Sequence, residues 1–407
     1  MASTFTWLDY SEYERRKMLD VIELFGEKTT RDELGLGGIR DAFADLLFPG
    51  TSTVQTRAKY FLFVPWLYQS LEKKRTESAK VGLRGRKLEI ELARQLELAG
   101  ETDGVIGLVA KEKLQRLPSN IYWQGLSQWG IRTFAGSQEE YHRSLDLFYR
   151  RQRARRDSRH EHEGETADED DLHNWHAGLP PASAAFPMGE TLSLSREEAA
   201  YLRERLVTHC PQSLLAWLVR EHVDVGDASY VWELEVELPA TLRKQVAHGR
   251  NFSEVLHGAQ LLYNLILAEQ RDWSEKIEAY REELQEWGSL VSGRLDELQS
   301  WNRTEFWRIV YQSNPRVSSR ARSFVQSWLD LIFVSPEAAA NAAARPARQL
   351  VENREAQLKR GLARVRNERA RELWNGAAGA AQLDLRWGSA RRIAADILAG
   401  LEADDDA

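Results

Sequence analysis

The sequence predicts a mainly α-helical protein with little strand, and three observations lead to that prediction. Apolar residues recur at helical spacing in many segments, for example at Leu19, Ile22 and Phe25. Two capping boxes, Ser11–Glu14 and Asn251–Glu254, each mark the start of a helix. Glycine and proline separate the periodic segments, where they form turns and end helices. A chain of 407 residues is long enough for more than one core, so we expect a two-lobed protein.

The N-terminal region, residues 1–150, is predicted to be one helical domain. Its predicted helices cover residues 11–25, residues 39–47, a stretch that begins near Thr53, and residues 87–98. Pro49 and Gly50 stop the second of these helices, and Pro65 would kink the third or end it early.

One corner of this domain has the outline of a DNA-binding motif. A short helix closes at Leu114–Leu117, a second begins at Pro118 and ends at Gly130, and residues 131–134 follow as a short strand. Two short helices around a tight turn occur in helix-turn-helix and winged-helix proteins. Many other helical domains contain such a corner, so both interpretations stay open.

Residues 151–190 are predicted to be a charged linker or loop between two domains. The segment is first arginine-rich, then acidic, then reads LPPASAAFP, and it lacks apolar periodicity.

Residues 191–407 are predicted to form a second helical domain with a basic helix. Within it, alternating apolar and glutamate residues over Tyr230–Leu238 predict one strand. The apolar helix Val255–Glu269 is predicted to be central.

Clusters of basic residues give the candidate functional surface, although the net charge of −7 implies no overall attraction to nucleic acid. Nine Lys and Arg lie between Arg345 and Arg371. A helix ending near Arg371 would bury Leu358, Leu362 and Val365 and would align Arg360, Arg364, Asn367 and Arg371 on another face, which suits phosphate contact. The candidate nucleic-acid-binding residues are Arg57, Lys59, Arg132, Arg360, Arg364 and Arg371. A solvated face, or local capping and pairing, is the alternative interpretation of these cations.

No motif in the sequence predicts a catalytic residue, a metal site or a cofactor. The turn Gly35–Gly38 lacks a phosphate-loop pattern, and His209 beside Cys210 lacks the further partners of a cysteine nucleophile. The single cysteine fits a reducing compartment, and no apolar run reaches the ~20 residues that span a bilayer, so we expect a cytoplasmic protein. Trp66, Trp129 and Trp287 lie on apolar stripes and are predicted to be core residues.

Four blocks of the sequence resemble an uncharacterised bacterial family, a domain of unknown function. The blocks are FTWLDYSEYERRKMLDVIELF, RDELGLGGIRDAFADLLFPGTSTVQTRAKYFLFVPW, PSNIYWQGLSQWGIR and NFSEVLHGAQLLYN. The resemblance implies gene neighbourhoods of anti-phage defence, near helicase-like and phospholipase-D-like proteins. It supplies no catalytic residues.

Three functions therefore stay open. The preferred hypothesis is a non-enzymatic component of a bacterial anti-phage defence system that binds DNA or a DNA-processing partner. The second is a scaffold for a helicase-like or nuclease-like protein, with no direct contact to nucleic acid. The third is an enzyme whose site the sequence does not reveal.

Overall fold

The computed structural model describes residues 32–161, 173–341 and 343–403. Helices dominate this part of the chain, and no strand is formed within it, so the prediction of a mainly α-helical protein is confirmed. The predicted first helix at residues 11–25, with its capping box, lies outside the described residues.

The helices are connected by turns and short irregular segments. They are α1 (Gly37–Leu47), α2 (Tyr60–Lys73), α3 (Ser78–Leu98), α4 (Pro118–Gln128), α5 (Gln138–Glu161), α6 (Arg196–His209), α7 (Leu214–Arg220), α8 (Ala240–Glu269), α9 (Ser274–Gly293), α10 (Leu295–Gln299), α11 (Arg303–Ser313), α12 (Ser319–Val334), α13 (Pro336–Ala340), α14 (Arg345–Lys359), α15 (Glu368–Glu372) and α16 (Trp387–Glu402). Short 3-10 helices form at Lys111–Lys113, Val231–Glu233 and Arg360–Leu362.

Contacts divide the described residues into two compact units. Unit 1 comprises residues 32–42 and 247–383, and unit 2 comprises residues 43–246 and 384–403. Helix α5 covers residues 138–161, and residues 173–190 also belong to unit 2. The expected domain boundary at residues 151–190 is therefore not where these two units divide.

Unit 2 is built around α2, which is buried along most of its length. Ten of its residues are buried, because apolar side chains point in every direction from the helix. Pro65 does not end this helix, which continues to Lys73. Pro65 lies in the second turn, so it removes one hydrogen bond near the helix start, and tertiary packing compensates. The ring of Phe61, on α2, stacks on the ring of Trp129 with the two centroids 4.0 Å apart.

The start of α2 differs from the prediction. The helix begins at Tyr60 and not near Thr53, because residues 51–59 make local and tertiary hydrogen bonds that compete with helix. Gln55 donates to the carbonyl of Gly50 at 3.0 Å, and the hydroxyl of Tyr122 accepts from the backbone amide of Thr56 at 2.9 Å.

Unit 1 is built around α8, and the prediction that Val255–Glu269 is central is confirmed by its burial. The helix begins at Ala240, however, so the capping box at Asn251–Glu254 does not mark its start. The side chains of that box have tertiary partners instead: Asn251 accepts from Arg294 at 2.9 Å, and Ser253 donates to the carbonyl of Leu383 at 2.7 Å.

The predicted core tryptophans are buried. Trp66 is 2% exposed, Trp129 is fully buried and Trp287 is 4% exposed, so their assignment to the core is confirmed. Each indole N–H donates to a backbone carbonyl, namely those of Pro180, Pro49 and Glu254 respectively. These hydrogen bonds satisfy the one polar atom of each buried ring.

The strand predicted over Tyr230–Leu238 is wrong. The segment forms a 3-10 turn at Val231–Glu233 and then an irregular extended stretch. Its alternation is nevertheless reflected in burial, because Trp232, Leu234, Val236 and Leu238 are half-buried and the intervening glutamates are exposed. An alternation of apolar and polar residues indicates that alternate side chains are buried. A strand also needs a neighbouring strand to hydrogen-bond its backbone amides and carbonyls, and this segment has none among the described residues.

The corner at residues 111–134 lacks the first helix of a helix-turn-helix. The chain forms only a 3-10 turn at Lys111–Lys113 before α4. Helix α4 itself buries its aromatic face, and its exposed positions Asn120, Gln124 and Gln128 carry no charge. Residues 131–134 contribute one isolated bridge, between Arg132 and Trp175, and not a strand.

Candidate nucleic-acid interface

Two predicted cations of unit 2 are held in ion pairs next to the start of α2. Arg57 makes a two-pronged contact with the carboxylate of Asp396, with its Nε 3.0 Å and its Nη2 2.9 Å from the nearest oxygens. The Nζ of Lys59 lies 2.5 Å from a carboxylate oxygen of Glu198, and the Lys59 side chain is only 7% exposed. These contacts follow the alternative interpretation, in which the two cations pair locally.

Arg132 is buried by the core of unit 2 and serves as a structural donor. Its guanidinium lies 4.6 Å from the ring centroid of Trp123 and donates to the backbone carbonyls of Phe134 and Gly136. Burial lowers the pKa of Arg132. With 5% of its surface exposed, this residue offers little area to a phosphate.

The predicted helix that ends near Arg371 is interrupted, and this breaks the expected basic stripe. Helix α14 ends at Lys359, and Arg360 follows with a φ of 52°, in the left-handed region. As a result, Leu358 and Leu362 are 43% and 72% exposed, whereas Val365 is buried as predicted. Arg360, Arg364, Asn367 and Arg371 therefore do not share a helix face.

Arg364 belongs to a buried ion-pair cluster in unit 1, which consists of Glu33, Glu355, Lys359 and Arg364. The Nη1 of Arg364 lies 2.8 Å from Glu33, and Lys359 contacts the same carboxylate. Glu355 accepts from the backbone amide of Arg364 at 2.9 Å and from the hydroxyl of Tyr263 at 2.7 Å. The cluster holds together the segment that follows α14, so Arg364 is a structural residue.

The other two predicted cations of this segment, Arg371 and Arg360, differ in their side-chain contacts. Arg371 donates to the side chain of Gln270 and to the carbonyl of Arg364, both at 2.8 Å. Arg360 is exposed, and its guanidinium makes no hydrogen bond or ion pair with any described residue. Of the six predicted cations, Arg360 is the one whose guanidinium has no partner among the described residues.

Arg360 lies at one end of a cleft between α12 and α14, which we call the arginine–serine cleft. Its volume is 570 Å³. The lining residues are Ser319, Arg320, Ser323, Phe324, Ser327, Leu350, Asn353, Arg354, Ala356, Gln357 and Arg360. They include three arginines, three serines, two amides and, within the described part of the chain, no carboxylate.

The floor of the arginine–serine cleft is a buried arginine without a carboxylate contact. Arg354 is 5% exposed and donates to the carbonyls of Leu34 and Gly35 at 2.7 and 3.0 Å. Its guanidinium lies 5.7 Å from the ring centroid of Phe324. Burial lowers the pKa of Arg354, against the opposing attraction of Asp32. A guanidinium still stays charged, so the floor of the cleft keeps positive charge.

The glycine turn before α1 supports this floor and does not cradle a phosphate. Gly35 has a φ of 65°, and a Cβ at that position would lie 2.8 Å from Arg354 Nη2. The backbone amides of Leu36 and Gly37 donate to the carboxylate of Asp32 at 2.6 and 2.5 Å. The amides that a phosphate would need are therefore occupied, in agreement with the prediction of a turn.

Sequence reasoning missed most of the cleft, although a signal was present. Ser319, Ser323 and Ser327 are spaced i, i+4, i+8 and therefore lie along one face of α12. Arg320 is exposed beside them, and its guanidinium has no hydrogen bond or ion pair with a described residue. Asn353 and Gln357 lie one turn apart on α14, and Arg360 follows the end of this helix, but that these residues face α12 is visible only in the fold.

Other candidate sites have structural explanations. Burial raises the pKa of the Cys210 thiol to about 11, which disfavours the nucleophilic thiolate. Across residues 32–161, 173–341 and 343–403, no three His, Cys, Asp or Glu side chains are grouped so that they could hold a metal ion. In the same stretches, every helix is too short or too polar to cross a membrane.

The fold and the cleft define a multi-helical protein with a cationic, hydroxyl-lined groove. The chain belongs to a family of unknown function (DUF6361), whose model matches residues 2–400. The expected membership of an uncharacterised family is thus confirmed. No curated protein and no solved structure matches the chain.

Proposed function

We propose that this protein binds a nucleic-acid strand, and that the arginine–serine cleft holds its phosphodiester backbone. The observation behind the proposal is the composition of the cleft, which combines three guanidinium groups with hydroxyl and amide donors and has no carboxylate among its lining residues. Arginine and hydroxyl side chains are the usual donors to phosphate oxygens. A net charge of −7 does not oppose this, because the field at a site depends on the local charges.

The available donors favour an anionic ligand over a neutral one. Arg320 and Arg360 are exposed and unpaired among the described residues, and Arg354 adds a buried charge beneath them. Arg320 and Arg354 also repel each other, since Arg320 helps to lower the pKa of Arg354. A bound phosphate would relieve this repulsion.

A single strand fits the shape better than a duplex. The donors line a groove between two helices and do not project from a convex face. A groove of positive charge that follows the backbone is typical of proteins that bind single strands without sequence preference. We assign the serines a binding role, because no imidazole or carboxylate that could act as a general base lines the cleft.

We further propose, on the resemblance alone, that this binding serves a bacterial anti-phage defence system with helicase-like or nuclease-like partners in the cytoplasm. Such partners process DNA, and a strand-binding subunit would hold the product or substrate of their reaction. The cleft test below does not depend on this assignment.

The test measures the fluorescence anisotropy of labelled single-stranded and duplex oligonucleotides over a salt series. The variant is Arg320→Gln with Arg360→Gln, and the matched control is Arg281→Gln with Arg308→Gln. The control arginines are also exposed in unit 1 but pair with Glu269 and Glu305, away from the cleft. Log affinity should fall with log salt by ~0.7 per phosphate contacted on a single strand, so the variant should flatten the slope by about 1.4.

The control should keep the wild-type slope, because its charges do not face the strand. Wild-type protein that shows no salt-sensitive binding to either oligonucleotide would overturn the proposal. Equal slopes for the cleft variant and the control would overturn it as well, since the bound phosphates would then lie elsewhere.

A further inference from the structure

The floor of the arginine–serine cleft contains a recessed cation with an unused donor. Arg354 is 5% exposed, and its Nε and Nη2 atoms donate to the backbone carbonyls of Leu34 and Gly35. Asp32 attracts this guanidinium but makes no ion pair with it. The remaining nitrogen, Nη1, has no hydrogen-bond partner among the described residues and is not closed to solvent. Because Arg354 lines the cleft, Nη1 is the donor that a ligand on the floor can reach.

The first turn of α12 adds two backbone donors to the same cleft. Ser319 and Arg320 are the first two residues of this helix, and both line the cleft. The side chain of Ser318 caps the amide of Ala321, whereas the amides of Ser319 and Arg320 have no hydrogen bond within the described part of the chain. A helix N-terminus carries partial positive charge and binds phosphate through such free amides.

The buried guanidinium and the start of α12 lie near each other. The guanidinium of Arg354 is 5.7 Å from the ring centroid of Phe324, which follows Arg320 by one turn of α12. Arg320 is also close enough to repel Arg354. A ligand that concentrates negative charge at one point would therefore meet several donors together and would offset this repulsion.

Building on the proposed function, we infer that the cleft binds the terminal phosphate of a nucleic-acid strand, which is a phosphate monoester. A monoester carries about −1.5 to −2 charges at neutral pH and offers three acceptor oxygens. A phosphodiester within the strand carries a single negative charge and has fewer free oxygens. The terminal phosphate therefore matches a cleft with three guanidinium groups better than a diester does.

The recessed position of Arg354 also favours the end of a strand. An internal phosphate is joined to a sugar on each side, so it reaches the floor only if the chain both enters and leaves the cleft there. A terminal phosphate projects from the end of the strand and can reach a guanidinium that is only 5% exposed. Arg320 and Arg360, which are exposed, would then contact the diesters that follow.

Fluorescence anisotropy on the full chain tests this inference with three forms of one internally labelled single-stranded oligonucleotide. The first form has a 5′-phosphate, the second has a 3′-phosphate, and the third has a hydroxyl at both ends. We expect one phosphorylated form to bind at least about tenfold more tightly than the hydroxyl form, because it adds charge-assisted hydrogen bonds. The form that binds more tightly identifies which end of the strand enters the cleft.

The Arg354→Gln variant should lose this preference and bind the phosphorylated and hydroxyl forms within about twofold of each other. Arg348→Gln, on the same helix, is the matched control and should keep the preference, because Arg348 pairs with Glu269 and does not line the cleft. Circular dichroism checks that both variants are folded. The comparison of the three forms on wild-type protein needs no variant, so it stands even where Arg354→Gln disturbs folding.

Two results would overturn the inference and leave the proposed function in place. The first is equal, salt-sensitive binding of the three forms by wild-type protein, because the cleft would then hold internal phosphates alone. The second is a preference for the phosphorylated end that persists in folded Arg354→Gln, because the end would then bind elsewhere. Wild-type protein that binds none of the three forms would overturn the proposed function and this inference together.

Discussion

Replacing Arg364 by glutamine should destabilise unit 1, whereas the same change at Arg360 should not. The two residues lie four positions apart in the basic segment, yet Arg364 is 6% exposed and paired with Glu33, and Arg360 is exposed without a described partner. The sequence alone predicts equivalent residues on one helix face. Their different surroundings now predict different effects.

The size of the effect follows from the charge left behind. Removing one partner of a buried ion pair costs about 3–5 kcal/mol, because the remaining charge is buried and unpaired. Glu33 is 4% exposed but keeps its contact with Lys359, so we expect the lower end, about 3 kcal/mol. Arg360→Gln should stay within about 0.5 kcal/mol of wild type, as surface changes do.

Urea unfolding, followed by circular dichroism, measures both variants. The Glu33→Gln and Arg364→Gln double variant closes a mutant cycle, and we expect it to lose less stability than the sum of the two single variants. If Arg364→Gln unfolds at the same urea concentration as Arg360→Gln, the ion-pair cluster does not stabilise the fold and the reasoning is refuted.

Two more predictions concern the core of unit 2. Burial raises the pKa of Glu89 to about 7, so the folded state holds its proton where the unfolded chain ionises. Its contribution to stability is therefore complete below the ordinary pKa of 4.5 and is lost as the pH rises to about 7, a change of about 3 kcal/mol. The free energy of unfolding of Glu89→Gln, measured in urea titrations, should therefore rise by about 3 kcal/mol relative to that of the wild type between pH 4.5 and pH 8. A stability difference that stays constant over this pH range would contradict the prediction. Gly125→Ala would force a Cβ onto the carbonyl oxygen of Gly50 and should cost at least about 2 kcal/mol. Gly361→Ala, where a Cβ meets nothing within 4 Å, should be neutral, and equal thermal shifts for the two alanines would disprove the close approach.

Patterns of apolar residues in the sequence correctly predicted the helices and core residues that depend on neighbouring residues in the chain. The helical spacing and the Pro49-Gly50 stop correctly placed α1, and the all-round apolar stretch correctly placed the core of α8. Buried tryptophans were predictable because an indole on an apolar stripe has few other places to lie. These features depend on neighbours three or four residues away, which the sequence shows directly.

The candidate site was less predictable, because it depends on contacts between distant residues. The sequence shows nine cations between residues 345 and 371 but not that Glu33 neutralises two of them. The break after Lys359 was also missed, because Gly361 alone is a weak signal and Arg360 takes the left-handed φ. The pairing of Arg57 with Asp396 joins residues 339 positions apart, which no local pattern contains.

Unit 2 is formed by two separate segments of the chain, and this determines when the unit can fold during translation. The amide of Ala58 donates to the carboxylate of Asp396, which is 338 residues later in the chain, and α16 packs on α6. A ribosome adds roughly 5–20 residues per second, so Ala58 emerges roughly 20–70 s before its partner. Helix α6 is synthesised later than Ala58, and the face that α16 covers stays uncovered while the roughly 180 residues between these two helices are added. Unit 2 can therefore close only late in translation or afterwards, and the apolar face of α6 is exposed in the nascent chain until α16 is made.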